Sequence, residues 1–489
     1  MRALPRNAPE IGLLAIVIVR LWLMVLPSSL WTDETGTAFI ARFPSHPSLA
    51  VVPQYTDSIY YALPRAMDRL LGFSEIGYRI PSVLAMGLAL FFMARLAARL
   101  VHPKAAWFAV FAALAVRNID YFAVDARPYA LGICCAAGAL YFLARWFDSA
   151  AWKDAAVFLI LAALLWRVHE AFWPFYLVIG FFTLMRTRRK ESRVSVKQTF
   201  VVLAILVIAL LPVALRALAL FREANLHAFA QPPSLYDLWR VLSPGVRLVT
   251  VCGAAAWLSR KLSAPTGRNT RRVTSLALAL AWWLLTPLTV FAFSRISGVS
   301  LFVPRYLSLS LPGAALTAVI ALAGWLPARL WRPAAIVMAV SALIFAGNWH
   351  NLWPDHDPEG WREASRYVSG QTEDANTPVL CISPFVEAVP PVWRPDYPLP
   401  GFLYANLWAY PFRGKPYLLP FGSSTEAQDY GDALAAGTLS HARRFLIYGD
   451  IADAEYWRIR LSARPELRDW HRAARNFGNI RVLVFAAPD

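Results

Sequence analysis

Long apolar segments separated by short charged connections make up most of the first 350 residues of the chain. A helix that crosses a bilayer needs about 20 mostly apolar residues. By this criterion the sequence predicts about eleven transmembrane helices, of which 105–119 and 243–259 are short enough to be re-entrant. The predicted spans are 10–30, 78–99, 105–119, 128–147, 152–169, 171–186, 198–218, 243–259, 273–294, 306–326 and 332–348.

The composition agrees with this pattern, because 58% of the 489 residues are hydrophobic and only 16% are charged. Soluble domains average about 45–50% apolar and about 25% charged residues. A soluble protein with this composition would lack the polar residues needed to cover its surface. The composition therefore excludes a soluble enzyme, a disordered tail and a fibrous protein, and it predicts an α-helical polytopic membrane protein.

The net charge of +17 arises from 48 basic and 31 acidic residues. In a soluble protein this balance would suggest nucleic acid binding. Here the basic residues cluster in alternate short loops, as they do on the cytoplasmic side of membrane proteins, so no nucleic acid partner is expected. These basic residues are Arg95, Arg99, Lys104, Arg186, Arg188, Arg189, Lys190, Arg193, Lys197, Arg260, Lys261, Arg268, Arg271, Arg272, Arg329 and Arg332.

An uncleaved signal anchor at the N-terminus and eleven spans together place the N-terminus inside and the tail 349–489 outside. The predicted domains are therefore 1–348, in the membrane, and 349–489, outside the cytoplasm. Helix-like and strand-like segments alternate in the tail, which predicts a small α/β domain. In the first outer loop, 31–77, apolar residues at helical spacing predict one or two amphipathic helices at the membrane interface. The tail segments are the helix-like 360–369 and 452–463 and the strand-like 378–383, 444–449 and 480–485.

Three acidic residues, at two sites, follow or precede spans on this outer side. Asp33 and Glu34 come directly after the first span, in WTDETGTA, and Asp125 lies before the fourth span, in VDARPYALG. A carboxylate beside an apolar wall suits a general base, because desolvation raises its proton affinity. The alternative is structural: Thr32 or Asp33 caps a helix whose first turn favours acids, and Asp125 pairs with a cation at the headgroup level.

Basic and aromatic candidates lie in the other outer turns. His169 precedes Glu170 in WRVHEAFWP, but position 173 is Trp, so the HExxH zinc motif is excluded. Arg295, Arg305 and Tyr306 lie between the ninth and tenth spans. Arginine makes bidentate contacts to phosphate, although contact with lipid headgroups is an equal explanation for Arg295. The sequence contains no Walker loop, GxGxxG or GxSxG, and no cysteine pair has zinc spacing.

All of these residues are predicted on the same outer side, where they can converge on one pocket. A carboxylate base beside phosphate-binding arginines suits the transfer of a sugar from a lipid phosphate to a hydroxyl acceptor. Four segments carry a resemblance to the integral-membrane glycosyltransferases of fold type C, and within them to the protein O-mannosyltransferases and the lipid A aminoarabinose transferases. The four segments are WTDETGTAFIARFP, DARPYALG, VHEAFWPFY and VPRYLSLSLPG.

The resemblance implies a polyprenyl-phosphate sugar as donor and inversion at the anomeric carbon. It implies that Asp33 is the general base on the acceptor hydroxyl, supported by Glu34, and that Asp125 orients donor or acceptor. It assigns the leaving lipid phosphate to a set of basic and aromatic side chains, with Arg295 as a further candidate. That set is Arg127, Arg305, Tyr306 and His169.

The resemblance also implies a bacterial inner (plasma) membrane, and a lipid, glycan or protein of the cell envelope as acceptor. No metal ligand and no definite cofactor is assigned, and a divalent cation is compatible with the pattern. Three alternatives stay open: a transporter or flippase for a lipid-linked substrate, a non-catalytic envelope scaffold, and a ligase that moves a glycan from a lipid diphosphate. The charges at the outer ends of the spans argue against a transporter, whose polar groups lie near the bilayer midplane.

Overall fold

The structure is a computed structural model that describes most of the chain. The predicted span 243–259 lies in part outside the described residues. The described residues are 7–53, 57–222, 231–246, 248–250, 252–253, 257, 270–326, 328–397 and 401–488.

Helices dominate the described chain. They are α1 (Ala8–Leu21), α2 (Thr32–Arg42), α3 (Ala62–Leu71), α4 (Glu75–Leu100), α5 (Ala106–Ala115), α6 (Ile119–Val124), α7 (Tyr129–Ser149), α8 (Trp152–Val168), α9 (Phe175–Arg188), α10 (Val196–Arg222), α11 (Leu235–Leu242), α12 (Thr270–Ser297), α13 (Leu311–Trp325), α14 (Trp331–Ala346), α15 (Trp361–Gln371), α16 (Ala405–Ala409), α17 (Thr425–Gly437) and α18 (Ile451–Ser462).

Six helical segments of the described chain are long and apolar enough to cross a membrane, and two shorter apolar helices accompany them. The prediction of an α-helical multi-pass membrane protein is therefore confirmed, whereas the count of eleven spans stays a prediction. The six segments are Ala8–Val25, Glu75–Leu100, Tyr129–Ser149, Val196–Ala219, Val273–Ser297 and Pro304–Gly324, and the shorter ones are Pro103–Ala115 and Trp331–Ala346.

The first compact unit comprises Met1–Leu26, Ser58–Tyr60 and Arg79–Pro354. Its central helix is α7, which packs along α8 and is buried over most of its length. Small residues allow this close packing. A Cβ atom at Gly138 would lie 2.8 Å from Leu161 and 2.9 Å from Phe92, and one at Gly132 would overlap the ring of Phe172.

The two ends of this unit's chain are joined by one arginine. α1 packs against α14, and the guanidinium of Arg20 donates hydrogen bonds of 2.7–2.8 Å to four backbone carbonyl oxygens after α14. Four acceptors satisfy most of the five donors of a buried guanidinium. The acceptors are the carbonyls of Gly347, Asn348, Asn351 and Leu352.

The second unit comprises Pro27–Asp57, Tyr61–Tyr78 and Asp355–Asp489, and it contains a five-stranded sheet in the order β2-β1-β3-β5-β4. β1 pairs parallel with β2 and β3, whereas β5 pairs antiparallel with β3 and β4. The expected C-terminal α/β region is confirmed, with two strands that the sequence did not predict, β2 and β4. The strands are β1 (Pro378–Ile382), β2 (Lys415–Leu419), β3 (Arg444–Asp450), β4 (His471–Phe477) and β5 (Ile480–Ala486).

The first outer loop supplies α2 and α3 to this second unit. In α3 the apolar side chains of Leu63, Leu70 and Leu71 are exposed whereas Asp68 is buried, so the helix turns an apolar face outward and is amphipathic as predicted. The boundary between the two compact units thus lies after Pro354, and most of the first outer loop belongs to the same unit as the C-terminal tail. The predicted domain boundary after residue 348 stays a prediction.

Candidate active site

Asp33 and Glu34 lie in the first turn of α2. The helix begins after Trp31, which has extended backbone torsions, and the Glu34 carboxylate accepts the Trp31 N–H at 3.3 Å. The cap is therefore formed by Trp31 and Glu34, and not by Thr32 or Asp33 as the structural alternative assumed. Glu34 is fully buried and Asp33 is half-buried, so the two neighbouring carboxylates have different surroundings.

His356 faces Glu34 within the same unit. Its Nε2 lies 4.0 Å from Glu34 Oε1, and both side chains are buried. The backbone N–H of His356 donates to Ser28 Oγ at 3.1 Å. No motif in the sequence singles out His356. Its only sequence signal is its place in WPDHDPEG, directly after the last predicted span on the side of the other candidates.

The Glu34–His356 pair offers one carboxylate oxygen and one imidazole nitrogen. Zn–N and Zn–O bonds measure about 2.0–2.2 Å, so two ligands of one tetrahedral zinc ion lie about 3.4 Å apart, and the 4.0 Å between these two atoms is wider than that. A catalytic zinc site also takes three protein ligands, whereas this pair offers two donor atoms. The sequence assigns no metal ligand, and this stays a prediction.

Aromatic packing fixes the rest of α2. Phe39 and Phe43 lie 5.9 Å and 5.3 Å from the ring of Trp408, measured between centroids. A Cβ atom at Gly36 would lie 3.2 Å from Phe402 and 3.3 Å from Phe385. Residues 36–43 of α2, which follow the two carboxylates, are therefore closely packed within this unit, and this packing fixes the orientation of the helix.

Asp125 and Arg127 lie in the first unit, between α6 and α7. Asp125 is fully buried and Arg127 nearly so. The backbone carbonyl of Asp125 accepts the Ser82 hydroxyl at 2.5 Å and the Arg127 N–H at 2.7 Å. These two bonds hold the turn that presents both side chains just before α7 begins.

His169 and Tyr306 come together in the same unit. The two ring centroids are 4.9 Å apart, and the His169 ring also lies 5.9 Å from that of Tyr129. His169 Nδ1 accepts the Ala171 N–H at 3.1 Å, which leaves Nε2 as the protonated nitrogen of a neutral ring. The Arg305 guanidinium lies 5.8 Å from the Tyr306 ring centroid.

The first unit therefore brings His169, Tyr306 and Arg305 together, and joins them through Tyr129 to the Asp125–Arg127 turn. Arg295 is exposed in the last turn of α12. The second unit brings Asp33 and Glu34 beside His356. The structure thus gives the locations of these side chains. Their catalytic and phosphate-binding roles, which were assigned from the sequence, stay predictions.

Comparisons with known proteins support the resemblance. A family model described as dolichyl-phosphate-mannose-protein mannosyltransferase matches residues 59–215. The structure is similar to that of ArnT from Cupriavidus metallidurans in the apo state, at 14% identity and a TM-score of 0.60, over 99% of both chains. A second structure, of the same ArnT bound to undecaprenyl phosphate, gives 12% identity and a TM-score of 0.58 over 99% of this chain and 100% of that chain. A comparison with curated proteins found no match.

The likeness to ArnT extends over essentially the whole of both chains, so it concerns the complete architecture and not one motif. The family match covers the part of the chain that contains Asp125, Arg127 and His169. Together they confirm the fold expected from the sequence motifs, that of the type C membrane glycosyltransferases.

Proposed function

We propose that this chain, which has the fold of type C membrane glycosyltransferases, transfers one sugar from a polyprenyl-phosphate donor to a hydroxyl acceptor. The observation that carries the proposal is its likeness to an ArnT that has been solved with bound undecaprenyl phosphate. The acceptor is a lipid, glycan or protein of the cell envelope. The reaction takes place on the outer face of the inner membrane.

The transfer is a single displacement. The acceptor oxygen gives its proton to a carboxylate as it forms a bond to the anomeric carbon. The bond from that carbon to the phosphate oxygen breaks, and its electron pair stays on the released polyprenyl phosphate. One displacement at one carbon inverts its configuration.

Asp33 is the general base in this proposal, because the neighbouring Glu34 carboxylate already accepts the Trp31 N–H and faces His356. Asp33 is half-buried, in contrast to the fully buried Glu34. A positioned base contributes roughly 10²–10⁴-fold to the rate. Asp125, fully buried in the turn between α6 and α7, orients the donor or the acceptor.

The leaving phosphate is neutralised by Arg127 and Arg305, with Tyr306 and His169 beside them and Arg295 at the periphery. Fixed cations act most strongly where charge develops in the transition state, which here is the phosphate oxygen that leaves. Arg305 lies over the Tyr306 ring and Arg127 is nearly fully buried, so both guanidinium groups are oriented before the donor binds.

The test uses the full-length protein in lipid nanodiscs and a panel of undecaprenyl-phosphate sugars. We expect at least one donor to lose its sugar to an acceptor in a membrane extract, with release of undecaprenyl monophosphate. An undecaprenyl-diphosphate sugar is the matched control and is expected to be inert. Turnover of the diphosphate alone would favour the ligase, and binding of the monophosphate donors without any turnover would favour the transporter.

A further inference from the structure

Glu359 lies two residues before α15 in the second unit, and one of its carboxylate oxygens accepts three hydrogen bonds. Glu359 Oε2 lies 2.8 Å from the Thr32 backbone nitrogen, 2.6 Å from Thr32 Oγ1 and 2.8 Å from Trp361 Nε1. Thr32 is the first residue of α2 and directly precedes Asp33. A residue far away in sequence therefore holds the first turn of the helix that carries the proposed base.

The contact provides a hydrogen-bond acceptor at the N-terminal end of α2. The first N–H groups of a helix have no partner inside the helix and must find an acceptor elsewhere. Glu34 accepts the Trp31 N–H, and Glu359 accepts the next N–H along the chain, that of Thr32. A negative charge at this end of a helix is further favoured by the helix dipole.

Glu359 is itself held by the sheet. The Gly360 N–H donates to the Phe477 carbonyl at 3.2 Å, and the Asn479 N–H donates to the Pro358 carbonyl at 2.7 Å. Between them Gly478 has φ +60°, and a Cβ atom there would overlap the Pro358 carbonyl. The β4–β5 turn thus fixes the backbone on both sides of Glu359.

Holding a carboxylate at this position has a cost. Burial raises the pKa of Glu359, and its hydrogen bonds with Thr32 and Trp361 oppose that rise. Removing a charged group from water is unfavourable unless it is fully hydrogen-bonded. A helix start needs no charged partner from another segment, since a single Ser, Thr or Asn can cap it. Because Glu359 comes from another segment of the chain, it joins the first turn of α2 to that segment as well as capping the helix.

We propose that Glu359 is a positioning residue that fixes the first turn of α2 and thereby aims the Asp33 carboxylate. This inference rests on the proposed function, because a direction for Asp33 matters only if Asp33 takes the acceptor proton. A misplacement of about 1 Å at a reacting group costs about 10²-fold in rate. The role of Glu359 is to accept hydrogen bonds, so an uncharged acceptor of the same shape is expected to substitute for it.

The test compares Glu359→Ala with Glu359→Gln in the full-length protein, with Glu426→Ala as the control. Glu426 is an exposed carboxylate in the first turn of α17 in the same unit. Hydrogen–deuterium exchange of peptides covering residues 31–37 measures the anchoring of α2 directly. Initial rates of sugar transfer, with the undecaprenyl-phosphate sugar that the wild type uses, give kcat and the KM for the donor.

We expect Glu359→Ala to raise amide exchange at the start of α2 by about tenfold, because the Thr32 N–H loses its acceptor and a factor of ten corresponds to about 1.4 kcal/mol. We expect its kcat to fall by about 10²-fold with an unchanged KM for the donor. Glu359→Gln is expected to keep slow exchange and most of kcat, and Glu426→Ala to behave as wild type in both measurements.

Unchanged exchange in Glu359→Ala would overturn the proposal, whether or not the wild-type protein shows transfer. So would a Glu359→Gln variant as inactive as Glu359→Ala, because the charge and not the hydrogen bonds would then be required. If the wild type transfers no sugar at all while exchange responds as expected, the anchoring of α2 stands and it is the proposed function that fails.

Discussion

At the scale of single residues, the two neighbouring carboxylates of the WTDET segment have separate environments. The sequence predicts the acidic pair and its place after the first span, but not the division between Asp33 and Glu34. That division depends on the extended backbone of Trp31, which puts the Glu34 carboxylate on the helix cap. His356 and Glu359 could not be predicted because their partners lie more than 300 residues away in sequence.

Glu34→Ala is expected to destabilise the protein more than Glu34→Gln. The alanine variant loses the acceptor for the Trp31 N–H and leaves a void at a fully buried position, whereas glutamine keeps an acceptor of nearly the same volume. The loss of a helix cap costs about 0.5–2 kcal/mol. Thermal unfolding of the purified protein in detergent measures the difference. Equal midpoints for the two variants would contradict the capping role of Glu34.

At the scale of elements, the apolar spans and the buried strands are predictable because each has a clear hydrophobic pattern. β2 and β4 are not predictable from the sequence pattern, each for a different reason. β2 contains Pro416, which demotes a segment to an edge strand or a loop. β4, with the sequence HRAARNF, is exposed at six of its seven residues, so it has no alternation of apolar and polar positions. Both are edge strands of the sheet, where burial dictates sequence least.

A buried network joins the C-terminal end of α2 to α3 and to the start of α4. Asp68 accepts the Tyr78 hydroxyl at 2.5 Å and lies 3.1 Å from the Arg42 guanidinium. We expect Asp68→Ala to cost about 1–3 kcal/mol, because the Tyr78 hydroxyl loses its acceptor. Adding Tyr78→Phe to Asp68→Ala is expected to recover part of that loss. A double-mutant cycle of unfolding free energies measures the coupling between Asp68 and Tyr78. Strictly additive effects of the two substitutions would contradict that coupling.

The start of α18 has a pH-sensitive carboxylate. Burial and the nearby Asp450 raise the pKa of Asp453 from its usual 3.8 to about 6. The folded state therefore binds more protons than the unfolded state between these values, so this group lowers stability as the pH rises from about 4 to about 6. Asp453→Asn is expected to raise the unfolding midpoint at pH 7.5 and to leave it unchanged at pH 3.5. An equal gain at both pH values would contradict this.

At the scale of the whole molecule, the fold was predictable because spans, alternate basic loops and short motifs in a fixed order all agree. The packing within each unit was not, since it depends on close contacts such as those of Gly138 with Phe92 and Leu161. The orientation in the membrane is a prediction of the basic loops alone.

Membrane-impermeant maleimide tests that orientation. A cysteine at Glu426 is expected to be labelled in intact spheroplasts, and one at Arg189 only after the membrane is opened. The wild-type protein is the control, because it measures background labelling of the four native cysteines. Cys134, Cys135 and Cys381 are buried and Cys252 is half-buried. Labelling of the Arg189→Cys variant in intact spheroplasts would place the basic loops outside and contradict the predicted topology.

The most direct test of the central claim is single-turnover sugar release by Asp33→Asn, with the donor that the wild type uses. Donor affinity is measured first and is expected to be unchanged, since Asp33 acts on the acceptor. The rate of transfer is then expected to fall by roughly 10²–10⁴-fold. Transfer at the wild-type rate by a folded, donor-binding Asp33→Asn would show that Asp33 is not the base.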